Sequence, residues 1–230
     1  MDDGLSSVNI NTSESALRGA FGELRDALRE KLPILVAELR PPVEFSAEFL
    51  DRPGAGQLRA LWSLTSGQAP GTLGVLGGLQ LLGPVESQRE SQKWLSLMTA
   101  GSGTERMSQP PGDASTSLDP NAVRAVYFAA GWIPVLGEPI EANYLAVDLV
   151  PLPAGRPGQV ILCGRDEDEK CVVTPDLAGL LHALAAECRA GLWEFRPGDP
   201  KRRSGPSVQR CGGRLLSACQ RRQFPLQRPL

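Results

Sequence analysis

GWIPV (Gly131–Val135), NYLAVDLVP (Asn143–Pro151) and GQVI (Gly158–Ile161) follow one another closely, and their reading decides the fold. Each is a short apolar run bounded by glycine or proline, the pattern of a buried strand rather than of a helix. The turn at Gly137-Glu138-Pro139 separates the first two. Lys170–Val173 is placed to pair with Gln159–Cys163 across Gly164–Glu169, a charged hairpin loop. Upstream, Val123–Ala129 alternates in a strand-like way. Downstream, Pro175 opens a helix whose apolar stripe is Leu177, Leu180, Leu181, Leu184 and Cys188, with Gly191 near its end.

The N-terminal half reads as helical. Thr12-Ser13-Glu14-Ser15 offers capping residues, and Leu17, Phe21, Leu24 and Leu28 then fall on one helical face. Leu35 and Leu39 suggest a short second helix stopped by Pro41-Pro42, and Phe45–Leu50 a further helical turn. Gln57–Leu64 predicts a helix with Leu58, Leu61 and Trp62 inward and Gly67 as its stop. The glycine-flanked run at 74–83 suits a strand, and Pro84 then begins a helix through Trp94 to Met98. Ala100–Pro120, rich in Gly, Ser, Pro and Thr, predicts a long polar loop. Helices first, a strand meander next and a closing helix predict an α+β single domain, with a central mixed or antiparallel sheet of about five or six strands flanked by helices.

The strand-rich stretch resembles the SUKH superfamily, specifically its Smi/Knr branch of cell-wall-assembly regulators and bacterial immunity proteins. The resemblance rests on Trp132 and Pro134, on the run ending Asp148 to Pro151, on Gly155, and on Gly158-Gln159. Trp62 and Gly67, in LRALWSLTSGQ, are similar to the family's upstream helix and turn, although Thr65-Ser66-Gly67 departs from the usual turn sequence. The resemblance covers roughly Phe21 to Ala190 and implies a SUKH-like domain over residues 14–196. A flexible N-terminus at 1–13 and a basic, disordered tail at 197–230 are expected around it. By their own chemistry these residues read mainly as architecture. Asp148 can accept backbone N–H bonds from the adjoining loop, the glycines open backbone angles closed to side chains, and Trp132 covers a core edge. Direct partner contact is the alternative role for Trp132 and Asp148.

No catalytic constellation emerges. The chain has one histidine, His182, on the apolar helix, and neither a phosphate-binding glycine loop nor a GxSxG elbow. Cys163, Cys171, Cys188, Cys211 and Cys219 are scattered without a CxxC, so reduced thiols are expected and no metal site. The expectation is therefore no enzyme, no cofactor and no small-molecule ligand. With no apolar run of membrane-spanning length and no basic–apolar leader, a cytoplasmic location without membrane contact is expected.

Charge supplies the remaining signal. The net −2 conceals a +7 tail after Arg196, with eight basic residues and Asp199, against −9 in the rest. An acidic body favours basic partners over nucleic acid. Asp166, Glu167, Asp168 and Glu169 form the densest acidic cluster and the candidate partner-binding patch. Bacterial members of the family imply an immunity protein that neutralises a toxin, with a basic toxin domain, such as a nuclease, as the protein partner. The fungal members imply a regulatory scaffold of cell-wall synthesis or signalling. Nucleic-acid binding through the tail is a third reading.

Overall fold

The computed structural model describes residues 4–69, 74, 76–99, 115–138, 143–164, 166–197, 207–211 and 215–220. The chain runs α1 (Gly4–Lys31), α2 (Pro33–Val36), α3 (Gly56–Trp62), β1 (Gln80–Leu81), α4 (Pro84–Thr99), β2 (Thr116–Ser117), β3 (Trp132–Gly137), β4 (Asn143–Asp148), β5 (Gln159–Gly164), β6 (Glu169–Thr174), α5 (Leu177–Arg189), β7 (Trp193–Arg196), β8 (Ser207–Arg210) and α6 (Leu215–Gln220). A 3₁₀ turn, Glu48–Asp51, precedes α3.

The six-stranded sheet has the order β1-β3-β4-β5-β6-β2. β3 to β6 form an antiparallel meander, β1 joins β3 antiparallel, and β2 joins β6 in parallel, so the sheet is mixed as expected. Alternation along the strands divides the core in two. Leu145, Val147, Val160 and Leu162 face a large layer built by α1, α3, α5 and α6. Tyr144, Ala146, Ile161 and Cys163 face a smaller layer with Trp94 of α4 and with Val123 and Phe128. A bulge between Pro134 and Leu136 lets Val135 and Leu136 both join the large core, while the Val135 carbonyl accepts from Leu82 N–H at 2.9 Å.

α1 and α5 pack on each other more extensively than any other pair of elements. The expected stripes are buried: Leu17, Phe21, Leu24 and Leu28 on α1, and Leu177, Leu180, Leu181, Leu184 and Cys188 on α5. Asp176 caps α5 by accepting from Gly179 N–H at 2.7 Å.

Three expectations are corrected. The helix begins at Gly4, so Thr12–Ser15 lie inside it rather than at its cap. Val123–Ala129 is not a strand but an irregular segment, whose Val123 and Phe128 cover the second core. The tail after Arg196 is not disordered throughout: β8 pairs antiparallel with β7, and Leu215, Leu216 and Cys219 enter the large core. The polar loop at 100–120 falls largely outside the described residues; of its end, Thr116–Ser117 forms β2.

An ion pair explains the tail's attachment. Glu187 of α5 is fully buried, and Arg210 of β8 grips both its oxygens, with Nε–Oε2 at 2.8 Å and Nε–Oε1 at 3.0 Å. Trp193 Nε1 donates to the same carboxylate at 3.2 Å. One arginine of the apparently solvated basic tail therefore belongs to the interior. Removing one partner of a buried pair leaves an uncompensated charge. Glu187→Ala is expected to lower stability by about 3–5 kcal/mol, read as a shift in the urea unfolding midpoint; an unchanged midpoint would show that the hairpin is not held this way.

Candidate binding surfaces

Trp132, Asp148 and Gln159 stand in register across β3, β4 and β5. All three are buried. Asp148 Oδ1 accepts from Val150 N–H at 2.9 Å and Oδ2 from Gln159 Nε2 at 3.2 Å. Gln159 Nε2 also donates to the Ala122 carbonyl at 3.1 Å, while its Oε1 accepts from Arg156 N–H at 3.1 Å. The row thus ties three loops to the sheet: the segment around Ala122, the turn after Asp148 and the turn before Gln159. Burial raises the Asp148 carboxyl above its ordinary value, opposed by the hydrogen bonds from Val150 and Gln159 and by Arg124. The Trp132 indole lies near enough to favour the charged carboxylate without meeting the geometry of a full hydrogen bond.

The remaining motif residues shape backbone around that row. A Cβ on Gly155 would stand 2.7 Å from both the Ala122 carbonyl oxygen and Pro151 Cβ. Gly158 has φ 95° and abuts Gly54, and Gly67, at φ 75°, turns the chain against Gly83. Pro151 is half-buried. The Pro134 carbonyl accepts from Ser87 Oγ, which fixes α4 along β3.

The acidic cluster is less uniform than its sequence implies. Asp166, Asp168 and Glu169 are exposed, but Glu167 is buried. Beneath them lies Lys170, fully buried, whose ammonium donates to the Gly164 carbonyl at 3.0 Å and to that of Glu167. The Tyr127 ring lies 5.8 Å from the same nitrogen. Burial pulls the Lys170 ammonium below its ordinary value, with Cys163, Glu167 and Asp168 opposing. This cation pins the loop and offsets part of its negative field. Its signal in the sequence was parity: Lys170 and Val172 share one strand face. His182, by contrast, is exposed, with Nδ1 3.0 Å from Glu23 Oε2. Among the described residues no group of His, Cys, Asp and Glu is arranged to hold a metal.

Sequence reasoning missed a surface groove of about 330 Å³ lined by Val43, Glu44, Phe45, Leu50, Arg59, Trp62 and Ser63. Its floor is an aromatic cluster in which Trp62 meets Phe45 at 5.9 Å and Phe49 at 6.1 Å, both edge-on. Trp62 Nε1 donates to the Leu82 carbonyl at 3.4 Å, and Arg59 to that of Leu50. The available signal was PPVEF (Pro41–Phe45), which places apolar residues in a segment barred from regular structure.

Comparison with known proteins gives a consistent result. A cell wall biosynthesis/cell cycle regulator, smi1 of Schizosaccharomyces pombe, is 37% identical over 123 residues, 52% of this chain and 24% of that protein. The chain is similar to the Smi1/Knr4 cell-wall regulators. The cell wall assembly regulator SMI1 of Saccharomyces cerevisiae is 33% identical over 113 residues, 46% of this chain and 22% of that protein. A glucan synthesis regulatory protein of Neurospora crassa is 35% identical over 117 residues, 49% of this chain and 22% of that protein. The chain therefore spans about a quarter of the length of the Smi1/Knr4 relatives it matches. No protein-family model matches it. The similarity agrees with the Smi/Knr resemblance carried by Trp132 to Ile161; a toxin or immunity role appears in none of these names.

Two expectations follow. Asp148→Asn leaves one of the two donors, Val150 N–H or Gln159 Nε2, facing an amide N–H₂ and should cost about 1–3 kcal/mol, seen in chemical unfolding. For Lys170 the folded ammonium titrates below the unfolded one, so between the two values the unfolded chain holds more protons and stability rises with pH. Lys170→Met should abolish that rise, which unfolding curves measured from neutral pH up to about 10.5 would detect; an identical slope in both proteins would contradict the buried cation.

Proposed function

We propose that this chain is a non-enzymatic, protein-binding regulatory domain acting in cell-wall synthesis or its signalling. The observation that carries the reading is the similarity over 123 residues to a regulator of cell-wall biosynthesis, supported by the likeness to two further wall or glucan regulators. The geometry agrees with such a role. The motif residues hold strands and loops together, and one of the surface grooves is lined largely by apolar side chains suited to contact with another protein.

The toxin-neutralising role finds no support in the names of these relatives. It drew on bacterial relatives of the superfamily and on the Asp166–Glu169 cluster, where one carboxylate is buried and a lysine lies below. Binding of nucleic acid through the tail loses Arg210, which is engaged by Glu187; the other basic residues of the tail lie outside the described residues. Among the described residues no helix is long and apolar enough to cross a membrane.

Proximity labelling in the native host tests the reading. A biotin ligase fused to the chain is expected to mark wall-synthesis enzymes or the kinases that govern them. Exclusive labelling of a toxin encoded beside the gene, or of nucleic-acid-processing complexes, would sink the proposal.

A further inference from the structure

We draw no further inference here: the strongest candidate, the surface groove between residues 43–50 and α3 lined by Val43, Phe45 and Trp62, is bordered by exposed charges of both signs, and nothing in the structure shows what covers it.

Discussion

A buried carboxylate organises the middle of this molecule. Asp148 lies at the end of β4, fully buried, and its two oxygens are divided between a backbone N–H two residues on and the Gln159 amide on the neighbouring strand. Each of those partners belongs to a turn or strand that would otherwise be free to slip. A one-residue shift of β4 against β5 would carry the carboxylate to the opposite face, against the apolar side chains of Val160, Leu162 and the α1–α5 layer. The row therefore selects the register as well as satisfying it. The two cores follow from that choice, because register decides which side chains reach the α1–α5 layer and which reach α4.

The same economy governs the other buried charges. Glu187 and Arg210 neutralise each other between α5 and β8, and Lys170 neutralises part of the loop above it through carbonyls and local carboxylates. A tally of charges along the chain gives a strongly acidic body and a strongly basic tail. The folded molecule presents a weaker contrast, since charges of both signs have been taken inside. The long-range field is consequently set by the charges of both signs that stay exposed.

Much of the fold was legible in the sequence because its sheet is made of short apolar runs that glycine and proline delimit sharply. Helices with long stripes, such as α5, were equally plain. Where the reading failed, the deciding contacts were distant in sequence. Thr12–Ser15 look like a cap, but local capping preference does not stop a helix that continues on both sides. Val123 and Phe128 are spaced by the need to cover a sheet face, not by a pleat. Leu215 and Leu216 carry no period, yet Glu187 makes their segment part of the core through Arg210, at a separation no window sees. The groove escaped for a related reason. Its walls come from irregular backbone at 43–50 and from α3, and only the fold brings Phe45 against Trp62.

The late position of Leu215, Leu216 and Cys219 also bears on how the molecule is made. The first long helix leaves the ribosome early, but the layer it joins is not complete until α5 and then α6 have emerged. Until then the part of α1 that meets α5, and the sheet face toward α5 and α6, are only partly covered. Nascent chains thus pass through a stage with exposed apolar surface before α6 has been made. The edges of the sheet limit the hazard: β1 and β2 are two residues each, and the Ser87 hydroxyl occupies the Pro134 carbonyl of β3. Short, occupied edges give incoming strands little to pair with before α6 has been made.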